Sequence, residues 1–525
     1  MKTETYRPSP QRPVPSGSED CLFVNVVAPV NKAKLPVMVF IHGGGYGQAN
    51  GAFDMSPLIH TNKNTFIGVT IQYRLGAFGF LSSDEVASSG ILNAGIHDMR
   101  FALQWVQEYI RLFGGDPEQV TIAGSSAGAG GVMLLGLANG GADGTSLFKG
   151  LIASSPYLPT QWDYNGTRPT EYYRRFADRA GCLPDQPTAN QSVFECLVSA
   201  DTETLQSASD YVSTTGQHGQ WAFTPVTDGT LIRTRPSAQL LGGGGRLNGA
   251  RLLSSNCVNE GPYFVPQDIT TAGAFRAFVR ATYPQLSAAD LARLLALYAV
   301  PADAPRALAN SDGEHAPFST TRSAFAAGWQ QAANNLYAEA TFVCPSRWLA
   351  DAYAGRGRGR AWRYQFSVAP GDHGRDLEPL LGLRAADGGP AAAATTDAAF
   401  RGALRAAWGN FAAGRAPGLS RAQARALGPA RGDVAAAGAR AWRAWTAGTP
   451  AMLNLNMTGG VLVAVDTMIN GSTIPVPRRV AGNGTAAAAA EPLRARFRLA
   501  DGRAWEGGRG ARCDLWASLG ARVPA

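Results

Sequence analysis

Apolar positions in the first third of the chain come in two textures. Leu22 to Ala28 alternates apolar and polar residues and predicts a strand with one covered face. Val37-Met38-Val39-Phe40-Ile41 is a continuous apolar run, the pattern of a parallel strand buried on both faces, and Phe66 to Tyr73 repeats it. From Gly95 to Phe113 the period changes: Ile96, Leu103, Val106, Ile110 and Phe113 recur at helical spacing until Gly114-Gly115 stops them. Val120 to Ala123 predicts another strand and Ala129 to Ala138 a helix behind it, with short strands at Leu151-Ile152-Ala153 and Leu252-Leu253. Strand and helix in alternation predict an α/β sheet covered on both faces. The stretch 160–350 reads as mostly helical, an insertion over the carboxyl edge of the sheet; Ser287 to Tyr298 is its clearest helix, with Ser287 as N-cap. Ala361 to Val368 predicts a late strand. The segments 385–399, 428–440 and 481–490 are Ala/Gly-rich and read as surface loops of low order, and residues 1–17 as an irregular start.

Composition narrows the possible classes. At 525 residues the chain can bury a large core as one α/β domain. No apolar run reaches the roughly 18 residues that would span a membrane. The net charge of +8 is spread through an Ala/Gly/Arg-biased second half rather than gathered into one patch. The only basic cluster, Arg356 to Arg360, sits between helix-like and strand-like segments as a loop would, so no nucleic-acid partner is expected. Six cysteines include no C-x-x-C pair, so no zinc site is expected; a self-sufficient catalytic triad, taken up below, implies no other metal or cofactor. Cys182 and Cys196 would close a loop of about 15 residues, worth roughly 3 kcal/mol in the chain-entropy model. Asn165, Asn190, Asn456, Asn470 and Asn483 each open an N-x-S/T sequon. Cysteines and sequons lean towards an oxidising, secretory setting, whereas Met1 to Asp20 shows no signal peptide, which leaves a cytoplasmic location open.

The chemistry centres on Gly124-Ser125-Ser126-Ala127-Gly128. This G-x-S-x-G follows a strand and opens a helix, the setting in which a strained turn lifts a serine out as a nucleophile. A serine hydroxyl needs a base within hydrogen-bond reach, normally a histidine oriented by a carboxylate, in the chain order Ser, acid, His. His218, His315 and His373 follow Ser126, and only His373 follows a strand-like run. By pattern alone, His373 stays open between a base and an exposed loop residue. The turn His42-Gly43-Gly44-Gly45-Tyr46, at the end of an apolar strand, could aim backbone N–H groups at an oxyanion.

Taken together, these stretches resemble the type-B carboxylesterase/lipase family, cholinesterase-like α/β-hydrolases, in a fungal form. Glu19-Asp20-Cys21-Leu22 resembles one family signature, and Phe113 to Thr121 with the elbow after it resembles the other. Tyr73 to Leu81 and Trp408 to Ala412 are further family-like stretches, and the match runs from about residue 18 to 516. The resemblance implies an α/β-hydrolase fold and a serine carboxylic-ester hydrolase with Ser126 as nucleophile, Glu260 as acid and His373 as base. It implies Gly44, Gly45 and Ala127 as oxyanion donors, and disulfides Cys182–Cys196 and Cys344–Cys513, with Cys257 a buried free thiol. It also favours secretion. An ester substrate, water-soluble or lipid, is the implied partner; a lipase and a catalytically silent binding module are the alternatives. Three departures stand out: Cys21 has no upstream partner, as if the family's N-terminal segment were missing; Ser125 stands where the family most often has Glu; and residues 1–20 hold no tryptophan for a choline ester.

Overall fold

The computed structural model describes residues 17–183, 192–242, 245–299, 306, 313, 318–355, 360–382, 395–422, 442–480, 491–520 and 523. Strands β1 (Val24–Val27), β2 (Leu35–Ile41), β3 (Ile67–Ile71), β4 (Gly115–Ser125), β5 (Gly150–Ser154), β6 (Arg251–Cys257), β7 (Arg360–Phe366), β8 (Ala451–Thr458) and β11 (Arg494–Asp501) form one sheet in the order β1-β3-β2-β4-β5-β6-β7-β8-β11. The strands from β3 to β8 run parallel, and antiparallel β1 and β11 close the two edges. Strands β9 (Val461–Ile469) and β10 (Ser472–Val480) pair with each other as a separate two-stranded ribbon.

The continuous apolar runs have a direct cause. Successive side chains of a strand point to opposite faces, and here each face meets its own core. Val37, Val39 and Ile41 of β2 join Val120 and Ile122 of β4 and Leu151 of β5 in one cluster. The intervening Met38, Phe40, Ala123 and Ile152 join the other. The first cluster is covered by the helices Ala94–Tyr109 and Ala127–Leu137, the second by the helix Ala398–Ala412 through Phe400, Leu404, Trp408 and Phe411.

Several expectations shift in detail. The helical stretch predicted to reach Phe113 ends at Tyr109, continues as a 3-10 turn over Ile110–Phe113, and stops at Gly114 with φ 81°. Ser287 caps the helix Ala288–Leu297 by accepting from the Asp290 N–H. The region 160–350 is helical on either side of β6, which runs through the middle of the sheet, so it divides into two helical stretches instead of one. Ala398 and Ala399, read as loop, begin a helix that Asp397 caps; 385–394, 428–440 and 481–490 lie outside the described residues, as do residues 1–16. No strand was expected beyond Val368, yet β8 to β11 all follow it. Both cysteine pairs, Cys182–Cys196 and Cys344–Cys513, are joined, while Cys257 is a buried free thiol and Cys21 a half-buried one. Among the described residues no helix is long and apolar enough to cross a membrane.

Trp408 is fully buried in the second core, and its indole N–H donates to the Tyr364 hydroxyl at 3.2 Å. Trp408→Ala should cost about 3–5 kcal/mol of folding stability through the cavity it leaves, read as a lower urea midpoint at unchanged m-value.

Candidate active site

Three strand ends build the site. β4 ends at Ser125, and Ser126 follows with φ 58° and ψ −127°, a conformation that a residue with a side chain adopts only under constraint. Its N–H donates to the Ser154 carbonyl at 3.0 Å, and its own carbonyl accepts from the N–H groups of Gly130 and Tyr157. The helix behind it packs so tightly that a methyl group on Gly128 would lie 2.1 Å from the Ile41 carbonyl oxygen. This close approach is what the last glycine of the motif permits.

β6 leads to Glu260, and β7 leads through a cis Ala369–Pro370 bond to His373. The two loops are stitched together by the Asn259 N–H to the Gly371 carbonyl and the Asn259 amide to the Pro370 carbonyl. Here the structure brings the three candidates into a line. His373 Nε2 lies 2.7 Å from Ser126 Oγ, and His373 Nδ1 lies 2.5 Å from Glu260 Oε2. Because an ionised carboxylate only accepts, this geometry puts the imidazole proton on Nδ1 and leaves Nε2 to accept from the serine hydroxyl. Glu260 is fully buried, and its other oxygen accepts from Ser155 Oγ and the Cys257 N–H. His218 is not part of this line, and His315 lies outside the described residues.

Residues that sequence reasoning missed hold the line in place. Ser155 locks Glu260, and Ser154 Oγ donates to a second buried carboxyl, Asp376, which burial pushes up from its ordinary range. Asp372, directly before His373, forms a bidentate pair with Arg375 and accepts from the Tyr263 hydroxyl at 2.6 Å. Burial alone would raise the Asp372 pKa, but the Arg375 guanidinium outweighs it and holds the carboxyl below its usual value. The His373 ring rests against Phe342 at 4.5 Å and, edge to face, against Phe264 at 5.1 Å. The usable signal was topological: residues just past the ends of neighbouring parallel strands meet, and Ser154-Ser155 closes the strand between β4 and β6.

The glycine turn lies against Ser126, since a methyl on Gly43 would fall 2.9 Å from its Cβ. Gly44 and Gly45 adopt φ of 104° and 64°. Ala127 opens the helix, so its N–H has no intrahelical acceptor. The Trp221 indole covers the other side of the turn, within 2.4 Å of where a Gly45 methyl would sit; with Phe80, Arg168, Tyr172, Gln217 and Gln220 it also lines a small cavity that none of Ser126, Glu260 and His373 lines. His42 is buried, stacks on Tyr73 at 4.5 Å, and donates from Nδ1 to the Gly43 carbonyl at 2.8 Å; its Nε2 meets no partner among the described residues. Ser125 is buried, and its hydroxyl has no hydrogen-bond partner among the described residues. Among the described residues no cluster of His, Cys, Asp and Glu is arranged to hold a metal.

Comparison with known proteins places this geometry. The model of the carboxylesterase family matches residues 2–463. The chain belongs to the carboxylesterase family. It is 31% identical to Secreted lipase 4 of Gibberella zeae over 68% of this chain and 62% of that protein. It is 30% identical to an inactive carboxylesterase-like protein, VdtD, of Byssochlamys spectabilis over 65% of this chain and 59% of that one. The matched segments thus span about three-fifths of these relatives' lengths. Among solved structures, Aspergillus niger EstA superposes with a TM-score of 0.69 at 25% identity, covering 97% of this chain and 85% of that chain. The fold is therefore that of the α/β-hydrolases.

Burial lowers the His42 pKa to about 4, so the folded state resists a proton that the unfolded chain accepts near 6.5. Stability should be fully present above pH 6.5 and fall by about 3 kcal/mol as pH drops towards 4. Urea denaturation across that window should show a shallower pH slope for His42→Asn than for the parent chain.

Proposed function

We propose that the chain is a secreted serine ester hydrolase whose catalytic unit is one α/β-hydrolase domain running nearly its full length. The observation that carries this reading is the unbroken line from Ser126 Oγ through the His373 imidazole to the buried Glu260 carboxylate. In this reading Ser126 attacks the ester carbonyl while His373 Nε2 takes its proton. Glu260 holds the Nδ1–H and stabilises the imidazolium. The N–H groups of Gly44, Gly45 and Ala127 receive the developing oxyanion, a contribution of about 3–4 kcal/mol per donor in comparable sites. His373 then protonates the leaving alcohol, and a water activated by the same imidazole cleaves the acyl-serine. Ser126, His373 and Glu260 supply nucleophile, base and charge without a cofactor. Secretion is supported by the two disulfides and by the name of the lipase from Gibberella zeae.

The lipase reading draws its support from the same relative. Rates on esters of rising chain length separate the two: a jump above the solubility limit identifies a lipase.

The deciding test is a fluorophosphonate probe followed by peptide mass spectrometry and hydrolysis of a short-chain aryl ester. Label should fall on Ser126, and Ser126→Ala should abolish both label and turnover. Glu260→Gln, which keeps the packing and removes the charge, should lower kcat by about 10²–10⁴-fold. Folded protein that takes no label and turns over no ester would overturn the reading in favour of a silent binding module.

A further inference from the structure

The ribbon of β9 and β10 stands apart from the sheet, and its tip is built into the rim of the candidate site. Its register runs from Val461↔Val480 to Ile469↔Ser472, which leaves Asn470-Gly471 as a two-residue loop. Both loop residues have positive φ, 50° and 81°, as the tight mirror-image hairpin turn requires and as Asn-Gly best supplies. Ile469, Ile474 and Val476 pack on Ala324, Phe325 and Ala326 together with Tyr263. From the tip, the Asn470 amide donates to the carbonyls of Val265 at 2.8 Å and Pro262 at 3.3 Å.

Those carbonyls belong to the turn that directly follows Glu260. This turn carries Tyr263, which holds Asp372 beside His373, and Phe264, which touches the imidazole edge to face. Gln267 donates to the same two carbonyls from within the turn. Asn470 is the donor that arrives from a separate part of the chain and ties the turn to the ribbon.

Asn470 also opens the sequon Asn470-Gly471-Ser472. An N-linked glycan attaches to the amide nitrogen that makes both of these hydrogen bonds. It would replace one hydrogen and lodge a sugar between the ribbon tip and the turn. Clamp and glycan therefore exclude each other at this residue. Asn165 differs: it is exposed, and its amide donates to the exposed Asp84 carboxylate.

We propose that Asn470 is a positioning residue for His373, a ribbon-tip clamp on the turn after Glu260, and that its sequon is left unglycosylated in the folded enzyme. The kinetic part of this proposal rests on the reading of His373 as the base; the glycan part does not. The test takes the full chain secreted from a eukaryotic host, with glycopeptide mass spectrometry and steady-state kinetics on a short-chain aryl ester. The Asn470 peptide should be unmodified. Ser472→Ala, which destroys the sequon and keeps the clamp, should leave kcat unchanged. Asn470→Ala, and Asn470→Asp, which keeps the shape but loses both donors, should lower kcat about fivefold or more with KM within about twofold. A glycan on Asn470 in active enzyme overturns the proposal. So does parental kcat in Asn470→Asp, or a loss confined to thermal stability. If Asn470→Ala does not fold, Asn470→Asp and the glycopeptide carry the result. Parent enzyme that neither hydrolyses nor takes the fluorophosphonate sinks the reading of the site instead, and the glycopeptide still decides the clamp.

Discussion

A serine at φ 58° and ψ −127° costs about 1–3 kcal/mol of backbone strain, and the molecule holds Ser126 there from three directions. β5 accepts its N–H through Ser154, the helix behind it donates to its carbonyl through Gly130, and Tyr157 donates to the same oxygen. The strain turns the hydroxyl away from the strand and towards His373. It also fixes where everything else must be, because Ser154-Ser155 then serves both the Ser126 backbone and the buried carboxyl of Glu260. Removing the strain would mean moving β4, β5 and the helix Ala127–Leu137 together. Close packing, as at Gly128 against Ile41, forbids that.

Buried charge is the second constraint. Isolated carboxylates cannot be kept deep in a protein unless donors surround them. Glu260 is enclosed by a hydroxyl, a backbone N–H and the imidazole; Asp372 has Arg375 and Tyr263. Glu339, at the start of a π-helical turn over Glu339–Val343, has both Arg509 and Arg512. Burial would raise the pKa of Glu339, but the guanidinium groups outweigh it and hold the carboxyl below its usual value. That turn places Phe342 against His373. The ionic pairs thus do positional work around an imidazole that has little freedom to rotate.

Legibility followed burial. β2, β3, β4, β5 and the elbow could be read because both faces of those strands are covered, which crowds apolar residues along them. Ser126 was marked by its own motif, whereas Glu260 and His373 needed a family resemblance. Many carboxylates lie between Ser126 and His373, and spacing does not rank them. β8 to β11 were missed for a different reason. β8, paired on both sides in the main sheet, carries Asn454 and Asn456, which weaken a strand signal; β10 carries Pro475 and Pro477, tolerated because among the described residues it pairs on one side only, with β9. Asn470-Gly471 between alternating apolar residues was the available hairpin signal, masked by a reading of Asn470 as a sequon alone.

The disulfide between Cys344 and Cys513 joins the end of the π-helical turn to the helix Trp505–Leu519, across a sequence separation of 169 residues. The same helix sends Arg509 and Arg512 to Glu339. A nascent chain that has already made Ser126, Glu260 and His373 therefore still lacks the support behind Phe342. Synthesis proceeds from the N-terminus, so this support can form only after residue 513 has emerged. The order of the gene delays the finished site until the chain is nearly made.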